Sequence, residues 1–191
     1  MTNIAIFASG SGSNAQNIAN YFASHQDINV ALIISNRSDA YVHERARILE
    51  IPSVTFSREA FDKGDVILEL LRSHEIGFIV LAGFLLKISQ PLLDAYPHRI
   101  VNIHPALLSG YGGKGMYGDR VHRSVVEAGD RESGITIHYV NEHYDEGDII
   151  FQARCELFPG DTPDEVARKV HALEYAHFPV VIDSLVKKLD K

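Results

Sequence analysis

The chain predicts an α/β fold in which a mostly parallel, twisted sheet is covered by helices on both faces. Short apolar runs alternate with stretches of helical periodicity over the first hundred residues. Those runs are continuously apolar, as strands covered on both faces require. No repeat, low-complexity tract or linker interrupts the 191 residues, so one domain with one core is expected.

The elements follow in order. NIAIFA (3–8) is the first strand and SGSGSN the turn after it; Ala15, Ile18, Ala19 and Phe22 then recur at i, i+3, i+4, i+7 on one helical face. NVALIIS (29–35) is the second strand. Val42, Ala46 and Leu49 repeat at helical spacing behind Ser38 and Asp39, the candidate N-caps. Ile67, Leu70 and Leu71 mark a third helix, IGFIVLAG (76–83) a third clear strand and RIVNI (99–103) a fourth. Beyond residue 130 the pattern changes. SGITIHYV (133–140) alternates, with Ile135, Ile137 and Tyr139 on one face and Thr136, His138 and Val140 on the other. DIIFQARCEL (148–157) follows the polar YDEGD turn, so the C-terminal part should be partly antiparallel, a hairpin-like addition to the sheet. The last helix opens on a capping box, with Thr162 as N-cap, Pro163 at the first helical position and Glu165 three residues after the cap. It runs toward Lys188, and Pro179 is expected to kink or break it.

With 18 basic and 25 acidic residues the net charge is −7, which argues against a broad nucleic-acid surface, since phosphate neutralisation needs clustered Lys and Arg. A single cysteine, Cys155, permits no intramolecular disulfide. The N-terminus lacks a basic n-region and reads as a strand rather than a signal peptide. No apolar run approaches the ~20 residues of a membrane helix. A cytoplasmic protein acting on small molecules, monomer or homodimer, is the expectation.

GSGSNA (10–15) matches G-x-G-x-x-G/A between a strand and a helix, which makes the fold Rossmann-like and the loop a phosphate cradle. NAD would want an acid closing the second strand, where Ser35, Asn36 and Arg37 stand instead. Arg37 could meet the 2′-phosphate of NADP, and a monophosphate substrate would use the same cradle. The loop alone leaves both open.

Asn102 and His104 lie i, i+2 at the end of the fourth strand, so both point to one face. Ligands of open parallel sheets lie beyond the carboxyl ends of the strands. Asp145, in the YDEGD turn, could return to the same edge and raise the His104 pKa above ~6.5. An amide and an imidazolium side by side form a donor pair for an oxyanion. There is no G-x-S-x-G elbow, no H-E-x-x-H and no cysteine pair, so neither a serine hydrolase nor a metal site is expected. His43, His74, His98, His171 and His177 read as ordinary surface or packing residues. The glycine-rich YGGKGMYG (111–118) suggests a lid that closes over a phosphate, with Lys114 or Arg120 nearby.

SGSGSN (9–14), SNRSDAYVHERA (35–46), LAGF (81–84), NIHPALL (102–108), YGGKGMYGDRVH (111–122), SGITIHYV (133–140) and YDEGDII (144–150) occur in one order over almost the whole chain. In this the chain resembles the phosphoribosylglycinamide formyltransferases. The resemblance implies formyl transfer from 10-formyltetrahydrofolate to the amine of glycinamide ribonucleotide, in purine synthesis, without a metal. It implies that Gly12, Ser13 and Asn14 hold the ribonucleotide phosphate, that Glu174 contacts the ribonucleotide, and that Asn102, His104 and Asp145 are catalytic. Folate contacts are implied for Leu85, Leu86, Lys87, Ile88 and Asn102, and for Arg58. Residues 1–100 would form the phosphate-binding half of one domain spanning 1–191, and 101–191 the catalytic and folate-binding half. The family often has Ser and Pro where this chain has Ala106 and Ser109, so the loop after His104 is expected to differ. A methionyl-tRNA formyltransferase would carry a longer C-terminal domain, and a formyltetrahydrofolate hydrolase an extra domain before the first strand.

Overall fold

The structure, a computed structural model, describes residues 1–108, 110–113 and 115–189; Ser109 and Lys114, both weighed above, lie outside them. Seven strands form one sheet: β1 (Thr2–Phe7), β2 (Ile28–Ser35), β3 (Ser53–Thr55), β4 (Ile76–Leu81), β5 (Ile100–His104), β6 (Glu132–Tyr139) and β7 (Ile149–Glu156). Their spatial order is β3-β2-β1-β4-β5-β6-β7. The first five are mutually parallel; β6 runs antiparallel to β5, and β7 to β6. The chain leaves β1 toward β2 and β3, then returns to the other side of β1 for β4. That reversal opens a crevice beyond the carboxyl ends of β1 and β4, where open α/β sheets bind ligands.

Both faces of the sheet are buried. Along β1, Ile4 and Ile6 face one core cluster with α1 (Ser13–Phe22) and α7 (Pro163–Leu189), while Ala5 and Phe7 face another with α3 (Arg58–Lys63) and α4 (Asp65–Ser73). This two-sided burial is why the strands read as unbroken apolar runs. The stripe expected for α1 is the one it buries: Ala15, Ile18, Ala19 and Phe22.

Two expectations are corrected. Neither Ser38 nor Asp39 caps α2 (Val42–Ile48): the helix starts behind Tyr41 without a side-chain cap, and Asp39 instead takes two hydrogen bonds from the Arg37 guanidinium, at 3.1 and 2.9 Å. Pro179 does not break α7, which runs through it for 27 residues. A proline lacks the N–H that would bond the carbonyl four residues back. Here that carbonyl, of Tyr175, accepts from Asn17 Nδ2 of α1 at 3.1 Å, so the group freed by the proline is satisfied by a neighbouring helix. The capping box of α7 is present, with Glu165 N–H donating to Thr162 Oγ1 at 3.3 Å and Thr162 N–H to Glu165 Oε2 at 2.7 Å.

The sequence reading passed over four elements. β3 and α3 are three and six residues long, and α5 (Gln90–Ala95) is also six, too short for periodicity to register. The ten-residue α6 (Asp119–Ala128) buries only Val121, His122 and Val125, and its apolar stripe is interrupted by the histidine. No helix among the described residues is long and apolar enough to cross a membrane.

Candidate active site

The turn after β1 is shaped by Gly12, whose φ of 72° lies in the left-handed region. A Cβ there would sit 2.4 Å from Val42 Cγ2, so only glycine lets α2 pack against the cradle. α2 also braces it by hydrogen bonds: Val42 N–H donates to Gly10 O at 3.1 Å and Arg45 Nε to Ser11 O at 2.8 Å. The N–H groups opening α1 then face the crevice with no acid in the first turn, a setting that favours an anion. Asn14 Nδ2 donates to Glu174 Oε2 of α7 at 2.9 Å. Its Oδ1 is buried and has no partner among the described residues, so a donor remains to be met there by a ligand.

The loop after β4 is tied to the same turn. Buried Ser9 donates from Oγ to Asn36 Oδ1 at 2.6 Å and accepts from the Leu85 N–H at 2.9 Å. This fixes where the apolar segment beginning at Phe84 starts.

β5 and β6 set the polar cluster. Asn102 pairs across the ladder with His138, and His104 with Thr136, so all four side chains share one face. Asp145 returns to that face on the turn before β7. Its φ is 57°, a left-handed conformation that Asp tolerates better than most residues. Gly147 permits the turn to close, because a Cβ there would lie 1.7 Å from the Tyr139 carbonyl oxygen. The Asp145 carboxylate accepts from the Gly113 N–H at 2.9 Å. It also lies 3.5 Å from Asn102 Nδ2, 3.6 Å from His104 Nδ1 and 3.6 Å from His138 Nε2. Those last three are at or beyond the limit of a direct hydrogen bond.

The tautomers follow from the partners. Carbonyls only accept, so His104 Nε2, 2.6 Å from Tyr111 O, carries a proton, and so does His138 Nδ1, 2.8 Å from Tyr139 O. In the tautomer with its proton on Nδ1, His138 accepts at Nε2 from Asn102 Nδ2 at 3.1 Å, which fixes the amide and leaves it one further N–H.

The pKa of His104 corrects the expectation drawn from its neighbour. Burial pushes the imidazole below its usual 6.5 and outweighs the opposite pull of Asp145. Burial alone would raise the Asp145 carboxyl, but the imidazoles of His138 and His104, when they are charged, and the Gly113 N–H hold it below its usual value. His171 is raised by its hydrogen bond to Glu174, at 2.8 Å. Buried His122 is lowered, by burial first and by His171 second.

One cavity of about 530 Å³ is lined by Gly12, Ser13, Asn14, Arg58, Leu85, Leu86, Asn102, His104, Asp145 and Glu174, within the usual range for small-molecule sites. Lys87 and Ile88 line a smaller adjoining hollow of about 60 Å³ that shares Leu86, Asn102 and Asp145. Arg37 lines neither, and its pairing with Asp39 removes the feature that made NADP plausible. Arg120 donates to Gly115 O at 3.3 Å rather than lining the cavity. Sequence reasoning missed three histidines of this region. His122 and His171 line the cavity, although His171 reads as an ordinary packing residue, and His138 touches Asn102. The signal for His138 was the alternation of Thr136 and His138 with buried Ile135 and Ile137; the register that sets it opposite Asn102 was not readable. No cluster of three His, Cys, Asp or Glu side chains suited to a metal occurs among the described residues.

A model of the formyl transferase family matches residues 2–182. The chain is 38% identical over 192 residues to the chloroplastic phosphoribosylglycinamide formyltransferase of Arabidopsis thaliana, covering 97% of this chain and 65% of that protein. It is 37% identical to the phosphoribosylglycinamide formyltransferase of Bacillus subtilis, over 97% of this chain and 95% of the other. The crystal structure of the phosphoribosylglycinamide formyltransferase of Streptococcus pneumoniae TIGR4 superposes with a TM-score of 0.85 at 38% identity, covering 97% and 99% of the two chains.

Proposed function

The chain belongs to the formyl transferase family, and from that premise we propose that it transfers the formyl group of 10-formyltetrahydrofolate to the amine of 5-phosphoribosylglycinamide, in purine synthesis, on Asn102, His104 and Asp145. The observation that carries this reading is the meeting of that trio in one cavity with a phosphate cradle on one side and an apolar segment on the other.

The ribonucleotide phosphate lies on the N–H groups of Gly12, Ser13 and Asn14, and Glu174 and the unpartnered Asn14 Oδ1 take hydroxyl or N–H donors of the same substrate. Leu85 and Leu86 hold the folate ring, Ile88 and Lys87 extend that wall, and Arg58 faces the acidic tail. Phosphate binding thus falls chiefly to residues 1–100 and catalysis to 101–191, in a cytoplasmic enzyme of small molecules. The substrate amine attacks the formyl carbon, and the carbonyl oxygen becomes an oxyanion. It takes the remaining N–H of Asn102, a type of donor whose loss typically costs about 100- to 1,000-fold. Because burial keeps His104 neutral at rest, Nδ1 is free to take the proton shed by the attacking amine. The imidazolium so formed lies beside the oxyanion, with the Asp145 carboxylate to stabilise it. The same proton passes to folate N10 as the C–N bond breaks and tetrahydrofolate leaves.

Release of tetrahydrofolate, measured with and without the ribonucleotide, tests the reading. Turnover only in its presence is expected. Turnover without it would make the chain a hydrolase, and none in either case would remove the assignment.

A further inference from the structure

On the far side of the loop that follows His104, the β6–β7 hairpin carries a polar pair that the proposed chemistry leaves unused. Thr136 is fully buried and stands in register with His104 on β5 and with Gln152 on β7, so the three side chains form a row across the sheet. The chain after His104 folds back over this row. Thr136 Oγ1 donates to Ala106 O at 2.8 Å, accepts from Leu108 N–H at 3.0 Å and accepts from Gln152 Nε2 at 2.8 Å. Gln152 Nε2 donates its other hydrogen to Leu108 O at 2.8 Å. A hydroxyl has one proton and two lone pairs, and an amide nitrogen two protons; every one is used. A network whose donors are all met, centred on a fully buried hydroxyl, favours one arrangement. Leu107 O, between the two clamped residues, accepts from the Gly110 N–H at 3.1 Å, and the next residue is Tyr111, whose carbonyl accepts from His104 Nε2–H at 2.6 Å.

We propose that Thr136 and Gln152 are positioning residues for His104: by clamping the backbone of Ala106 and Leu108 they fix the Tyr111 carbonyl, and so the tautomer and the angle of the imidazole. Ala106 is fully buried and engaged through its backbone oxygen, so the clamp needs no hydroxyl at that position. Neither Thr136 nor Gln152 lines the main cavity. Their effect therefore falls on turnover and not on substrate binding. The inference rests on the assignment of His104 to formyl transfer.

Thr136→Val keeps the shape and removes the hydroxyl, Gln152→Glu keeps the shape and removes the donors, and Thr136→Ser restores the hydroxyl. A misplacement of about 1 Å costs roughly 100-fold, so kcat should fall at least tenfold in the Val and Glu variants. Both KM values should stay within about twofold, and the serine variant should recover most of the activity. Nitrogen NMR of the histidines, on protein without substrate, gives a readout independent of turnover. The His104 Nε2–H signal and its titration should move in the Val and Glu variants and return in the serine variant. If Thr136→Val does not fold, Gln152→Glu decides the matter alone, since Gln152 is only partly buried. Folded variants with wild-type kcat and an unmoved His104 signal would overturn the clamp. An inactive wild type with the His104 signal shifting as described would instead overturn the formyl-transfer assignment.

Discussion

Among single residues of the site, burial and hydrogen bonding divide labour between neighbouring groups. His104 and Asp145 are 3.6 Å apart, yet the imidazole is lowered, because desolvation of the charged form exceeds the attraction of one carboxylate. In the proposed mechanism the reactive form at rest is then the neutral one. The acid limb of the kcat/KM profile should accordingly lie below pH 6.5, with activity falling as the pH drops through the His104 pKa and Nδ1 becomes occupied; a limb near pH 8 would contradict this. Asp145→Asn should lower kcat by about 100-fold or more, with thermal stability changed by no more than about 1–2 kcal/mol, as read from parallel melting curves. Glu174 is buried and holds Asn14 at the cradle. Glu174→Ala should raise the KM for the ribonucleotide well above any change in the KM for the folate, and equal changes would remove it from that subsite.

Elements show what periodicity can and cannot reveal. The helix after β1 could be read to the residue, because four apolar side chains at helical spacing are the four it buries. The β6–β7 hairpin was visible in its change from continuous to alternating apolarity. β3, α3 and α5 were not, since three to six residues give no period. Pro179 misled because its helix is rescued by Asn17, a long-range partner that no local pattern records. Among site residues, Asn102 and His104 share a face by strand geometry alone, whereas Asp145 and His138 reach them through turn closure and strand register, which depend on tertiary structure. Gly12 links element to function. Gly12→Ala would force a side chain into the left-handed region and against Val42, costing about 2 kcal/mol or more from strain and overpacking together. The variant should melt earlier and bind the ribonucleotide more weakly, with the folate KM less affected. Unchanged ribonucleotide affinity would separate this turn from phosphate binding.

For the molecule as a whole, the topology explains why residues far apart in sequence meet. Loops after β1, β4 and β5 open at one edge of the sheet, and α7 crosses back to add Glu174. Several histidines of this cavity titrate away from their usual value, so folding stability should depend on pH. Between their lowered folded pKa values and 6.5, His104 and His122 stay neutral in the fold while the unfolded chain takes up protons. Their contribution thus weakens as pH falls below 6.5. His171 is raised, so its contribution is complete below 6.5 and is lost as pH rises through its folded value. His171→Gln should therefore flatten the decline in melting temperature above pH 6.5 and, by removing the cation that lowers His122, also ease the fall on the acid side; an unchanged profile would show that the Glu174 pair does not couple to folding. The central claim is that the substrates brought together at this edge react on His104, with Asn102 and Asp145 beside it. Its most direct test is kcat for His104→Ala at saturating 10-formyltetrahydrofolate and ribonucleotide, with both KM values measured. A fall of about 100-fold or more with KM values near those of the wild type is expected, and turnover within threefold of the wild type would remove His104 from the chemistry.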